Sequence, residues 1–224
     1  MRYGVAAVAV LTLVSSIGLD AHDPNATITW NREISRIVFE RCASCHRPGG
    51  TSFSLLIYQD AQPRAAAIKE SVLSRRMPPW GAVQGFGSFR NDQGLMQEQI
   101  SLITSWVESG TARGNNPNVL PPQPVFEQSA PFATPQNAIA VSGDFTATRN
   151  LVLDGLLPDR VPSGASAQIV AALPNRVVEP LLWLYEYRNS YRHPFLFRKA
   201  VTIPAGTVIR GIPPNARILL ITQQ

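Results

Sequence analysis

The chain has only two cysteines, and both stand in Cys42-Ala43-Ser44-Cys45-His46. A C-x-x-C-H string is the attachment signature for c-type haem. On a helical turn Cys42 and Cys45 face one side, where their thiols can add to the two vinyl groups of one haem. His46 follows directly and is placed to coordinate the iron from the proximal side. Two randomly placed cysteines fall three apart roughly 1% of the time. With three histidines in the chain the next residue is His about as seldom, so chance gives the string roughly once in ten thousand. Two plainer readings compete. An exported protein could hold a Cys42–Cys45 disulfide, but no thioredoxin-like βαβ pattern surrounds the pair. Zinc needs four ligands, and the only other His or Cys residues are His22 and His193, which come from a terminus and a distant segment.

A six-coordinate iron takes a second axial ligand from Met or His. The candidates are Met77, Met96, His22 and His193. Met77 precedes Pro78-Pro79-Trp80, and two prolines restrict the backbone just after it, which suits a ligand held on a loop. Met96 begins a helix and reads as packing at its start. On spacing alone a lone Met is usually core filler.

The elements that position these residues follow from periodicity. In Thr29 to Cys45, residues Ile34, Ile37, Val38 and Cys42 make one helical face. A second helix is expected from Asp60 to Arg75, with Pro63 tolerated in its first turn. A third runs from Met96 to Ser109, burying Ile100, Ile103, Trp106 and Val107 and stopping at Gly110. Pro78 to Asn91, rich in Gly and aromatics, is too irregular to be an element. Residues 113–135, with Pro117, Pro121, Pro122, Pro124, Pro131 and Pro135, read as a Pro-rich linker or a strap. Beyond it, apolar runs suggest strands at Ala138–Val141, Leu151–Leu153, Ala167–Ala172, Glu179–Tyr187, Phe195–Ile203, Thr207–Ile212 and Ile218–Thr222, with Leu157-Pro158 as a break. The expected fold class is α+β in two domains: an all-α cytochrome c domain over 22–112, then a small antiparallel β-sandwich over 136–224.

Arg2 followed by the apolar run Val5 to Ile17 reads as a signal peptide over 1–21, cleaved after Ala21 or near Gly18. The run falls short of the roughly 20 residues that span a bilayer, so the expectation is a periplasmic or otherwise exported protein without stable membrane insertion. An uncleaved signal would leave it membrane-associated. Apolar residues make up 45% of the 224 and charged residues 16%, which predicts a real core rather than disorder. The formal charge of +5 is carried almost wholly by Arg, without any long basic run, so nucleic-acid binding has no specific support.

Thr29-Trp30-Asn31-Arg32-Glu33-Ile34, the C-x-x-C-H string with Arg47-Pro48-Gly49, Phe53-Ser54-Leu55-Leu56, Met77-Pro78-Pro79-Trp80 and Ile103 to Gly110 together resemble a bacterial family of mono-haem cytochrome c domains. In many members that domain precedes a β-domain similar to copper type II, ascorbate-dependent monooxygenases. The resemblance covers residues 29–112 and implies that Met77 is the distal ligand and that Pro48 packs under the proximal side of the haem. After residue 113 it thins to Glu179–Tyr187, Tyr191, Phe197-Arg198 and Ile203-Pro204-Ala205-Gly206-Thr207. A copper site of that kind needs several His and a Met, whereas this segment offers His193 alone and no Met. The resemblance therefore implies a shortened relative without copper ligands, in which His193 is a surface or hydrogen-bonded histidine. Trp183, Tyr185, Tyr187, Tyr191, Phe195 and Phe197 read as core and rim of the strands. Arg75-Arg76 is placed to meet a haem propionate or an acidic partner, or simply to face solvent.

The function expected from these residues is one-electron transfer between a redox donor and an acceptor through one covalent haem c, with no catalytic residues of the chain's own. The rival is a haem-containing subunit of a periplasmic redox enzyme, monooxygenase-like, that feeds electrons to a partner's site or binds a small ligand at five-coordinate iron. A third reading makes the β-segment a docking module.

Overall fold

A computed structural model describes residues 27–126, 133–134 and 136–223. The expected signal peptide, His22 and part of the Pro-rich stretch lie outside the described residues.

The first helical segment opens as a π-helical turn, Trp30–Ile34, and continues as α1, Ser35–Arg41. Trp30, Ile34, Ile37 and Val38 line its buried face, as the apolar spacing requires. Chain direction then changes at Cys42. A short α2, Tyr58–Ala61, is separated from α3, Ala65–Leu73, by a 3-10 turn over Gln62–Arg64. Pro63 explains the turn, since its missing N–H interrupts the i to i−4 ladder. Helix α4, Gln97–Glu108, has the side chain of Gln99 accepting from the Met96 amide at 3.0 Å, and it buries Ile100, Ile103 and Trp106. Gly110 ends it with φ of +93°. These helices share a small core in which Trp30 and Trp106 lie 6.2 Å apart.

The strands are β1 Ile139–Val141, β2 Phe145–Thr146, β3 Leu151–Arg160, β4 Ala167–Ala172, β5 Val178–Leu184, β6 Phe195–Ile203, β7 Val208–Arg210 and β8 Arg217–Thr222. They form two four-stranded antiparallel sheets, ordered β1-β8-β3-β6 and β2-β7-β4-β5, around a second and larger core. Leu157-Pro158 is not a break. β3 runs through it, with a register shift against β8 between Pro158 and Arg160, a place where a residue without an amide proton is tolerated.

The expected fold class is corrected here. Described helices are short, the longest being 12 residues, and the strands of the two sheets hold more residues than the four α-helices. Among the described residues no self-standing all-α domain precedes the sheets, because the segment read as an irregular loop belongs to the β-core. Trp80 and Phe89 are both 4% exposed and pack inside it. The loop also completes both sheets. Ala82 bridges Leu184 on edge strand β5, where the Val83 amide donates to the Trp183 carbonyl at 2.9 Å. Phe89 bridges Phe197 on edge strand β6, where the Arg90 amide donates to Leu196 at 2.8 Å. Asn91 adds two side-chain bonds at the start of β6, donating to the carbonyl of Pro194 just before it and accepting from the Leu196 amide. One loop thus covers one of the two edges of each sheet.

Two outcomes follow for denaturation experiments. Phe89→Ala should cost about 3–5 kcal/mol, the range for a truncated core aromatic, rather than the under about 0.5 kcal/mol of a solvated loop. Arg90 forms a two-point ion pair with Asp154 of β3, and that hydrogen bonding holds the Asp154 carboxyl below its ordinary range. A depressed carboxylate contributes stability above its unfolded value of about 3.9, which is lost as pH falls through the lower folded value. Asp154→Asn should remove that part of the acid-side slope. Arg90 is half-exposed, so the loss at pH 7 should stay under about 1 kcal/mol.

Candidate functional site

Helix α1 ends by winding the cysteine motif onto its last turn. The amides of Cys42 and Ala43 both donate to the Val38 carbonyl at 2.9 Å, and those of Cys45 and His46 donate to Cys42 at 3.1 and 2.9 Å. Ala43 is fully buried, while both cysteines are free and half-buried. The chain then doubles back: the Ser52 amide donates to Cys45 and the Leu55 amide to His46, each at 3.1 Å. Gly50 sits inside this reversal, where an added Cβ would collide with the Cys45 carbonyl oxygen.

The reversal brings the Phe53 carbonyl to 3.0 Å from Nδ1 of His46. A carbonyl only accepts, so Nδ1 is the donor, and in the neutral ring this leaves Nε2 its lone pair. That is the arrangement that orients an imidazole as a metal ligand through Nε2. The Phe53 ring meets the imidazole edge-on at 4.7 Å, which further limits its rotation.

Opposite stands the end of α3. Arg75 turns the chain with φ of +51°, and the amides of Arg76 and Met77 both return to the Ser71 carbonyl, at 2.9 and 3.2 Å. Met77 is left 44% exposed on this tied loop. Between the two walls lies a cavity of about 620 Å³, lined among others by Cys42, Cys45, His46, Phe53, Ile68 and Met77. Such a volume is within the roughly 300–1,000 Å³ of ligand sites. The four expected ligand residues, Cys42, Cys45, His46 and Met77, therefore line one cavity. Met96 does not: it precedes α4 and is 53% exposed outside this lining.

His193 is also elsewhere. It stacks on Trp80 at 4.8 Å, with Nε2 3.2 Å from the Trp80 carbonyl and Nδ1 3.0 Å from that of Pro194. Pro48 is exposed and absent from the cavity lining. Arg76 pairs with Glu70 at 2.8 Å and Arg75 donates to Gln97, and neither lines the cavity. Instead Arg41 and Arg64 do, two residues that sequence reasoning passed over. Arg41 directly precedes Cys42 and shares its turn, a signal that was present but unused. Its guanidinium donates to the Asp92 carbonyl at 2.8 Å and pairs with Glu40 at 3.0 Å, while Nε is buried with no partner.

The donor set fits haem. Two thiols stand on one turn, an imidazole presents its free nitrogen, a thioether lines the same cavity, and a buried Arg nitrogen waits for an acceptor of the kind a propionate supplies. Zinc fits poorly, since no cluster of three or more His, Cys, Asp and Glu occurs among the described residues. Burial pushes the Cys42 thiol up to about 12, the neighbouring Cys45 adds to this, and Arg41 opposes it. Cys42 is therefore a neutral thiol at physiological pH. No helix among the described residues is long and apolar enough to cross a membrane.

In the bare polypeptide, Cys42, whose thiol burial pushes up, should react with iodoacetamide at pH 8 more slowly than an ordinary exposed thiol. Site-resolved mass spectrometry checks this, and rapid alkylation of Cys42 would contradict the burial described. Comparison with family models, with curated proteins and with solved structures finds no match to this chain.

Proposed function

We propose that the chain is an exported c-type cytochrome that holds one covalent haem and passes single electrons between redox partners. The observation that carries this reading is the convergence of Cys42, Cys45, His46 and Met77 on one largely apolar cavity, with His46 already oriented by the Phe53 carbonyl. When bound, haem supplies reversible one-electron chemistry at iron. The chain's own residues do the rest. Cys42 and Cys45 would attach the group as thioethers, His46 and Met77 would coordinate its iron, and Arg41 would offer Nε to a propionate. Leu55, Ile68 and Val72 keep water from the cavity and so favour a small change of solvation on electron transfer. A formal charge of +5 favours acidic docking partners, both donor and acceptor.

Protein exported together with the cytochrome c maturation machinery should gain one haem mass that resists acid–acetone extraction. Cys42→Ala or Cys45→Ala should weaken or abolish attachment, and an intact mass equal to the bare polypeptide ends the proposal. The axial assignment has its own test. Met77→His should keep a low-spin spectrum while lowering the midpoint potential by a sizeable fraction of the roughly 0.8 V that axial ligands command. Thioether sulfur is soft and neutral and favours ferrous iron, so its replacement moves the potential down. Met77→Ala should open iron to carbon monoxide, and Met96→Ala should leave the spectrum unchanged.

A further inference from the structure

A second cavity, of about 540 Å³, lies on the other side of the Met77 loop, and Val72, Met77 and Pro78 belong to the walls of both. It sits where the helices meet the β5 edge. Its floor is apolar and closed: Trp80, Leu95, Ile100 and Tyr191 are each 6% exposed or less. Its rim is different. Tyr185 stands 54% exposed there, beside exposed Arg75, Glu186 and Arg188. Two of the four non-glycine residues with left-handed backbone among the described residues, Arg75 at φ +51° and Glu186 at φ +44°, line this one cavity. Left-handed backbone is unfavourable for long side chains, and such residues cluster at ligand sites. Among the described residues neither Arg188 nor Glu186 takes part in an ion pair. Arg75 has only a neutral partner, Gln97 at 3.2 Å.

Apart from the shared wall, the electron-transfer reading leaves this cavity unused. We propose that it binds a small, planar organic anion carrying a hydroxyl group. The carboxylate end is matched by Arg75 and Arg188, the flat body by Trp183 and Tyr185, and the hydroxyl by the Glu186 carboxylate as acceptor. Two guanidinium groups against one carboxylate leave the rim one positive charge in excess, which selects an anion over its neutral isostere. The cavity is walled by the chain alone, so the inference holds whether or not haem fills the neighbouring one.

The test is calorimetric titration of the full exported chain, with its haem content read from the same sample's spectrum. The probe is 4-hydroxybenzoate, with 4-hydroxybenzamide as the uncharged isostere. One-site binding of the acid is expected, with the amide weaker by about tenfold, the worth of a charge-assisted hydrogen bond. Arg75→Gln and Arg188→Gln should each weaken the acid by about tenfold as well. Ser74→Trp, at an exposed position of the lining, should fill the space and abolish binding, while the remote Arg149→Gln should bind as the parent does. Absence of heat up to the solubility limit of the probe overturns the proposal, as does an amide that binds equally or an acid indifferent to both Arg changes. If the Arg variants fail to fold by circular dichroism, Ser74→Trp decides: a folded variant that still binds overturns the site.

Discussion

Burial of Trp80 is the constraint on which the remaining structure hangs. Its indole lies among Phe89, His193 and Phe195, with ring centroids 4.8 to 5.8 Å away, so it is shared by the helical layer's loop and by the strands. Three residues before it stands Met77, and two after it begins the backbone pairing with β5. A tryptophan held this tightly fixes the path of the chain on both sides. The Met77 wall of the first cavity, the floor of the second and the cover on two sheet edges are all set by where that side chain goes.

A second, more local constraint is the reversal after the cysteine motif. Five backbone bonds and the Nδ1 contact hold residues 42–55 in one compact turn, so His46 is oriented without any help from the sheets. The two walls of the first cavity therefore have different origins. One is built from residues within about a dozen positions of each other, and the other depends on strands about a hundred residues away.

That difference explains what could be read from the residues. The C-x-x-C-H string and the periodicity of Ile100, Ile103 and Trp106 are local, and the corresponding turn and helix stand where spacing put them. Met77 was singled out by the two prolines behind it and by resemblance, and it lines the cavity with the cysteines. The fold class was misread because the stretch Pro78 to Asn91 has no period of its own. Its aromatics become core residues only beside Phe195 and Phe197, which no local pattern announces. Pro158 misled for a related reason: whether a proline breaks a strand depends on its partner's register, here a bulge against β8. Arg41 was legible in position but not in role, since an unpartnered Nε is visible only in three dimensions.

The cover that one loop gives to both sheets also has a meaning in time. Its bonds to β6 join residues more than a hundred positions apart, such as Asn91 with Pro194 and Arg90 with Phe197. A chain that emerges from its amino end can complete the cysteine turn early, while those long-range pairings wait for nearly all of the sequence. Until they form, Trp80 has no core to enter and the edges of both sheets stay open. Folding is therefore ordered by topology, with the cysteine-turn half of the cavity shaped first and the Met77 half locked later, when β5 and β6 arrive.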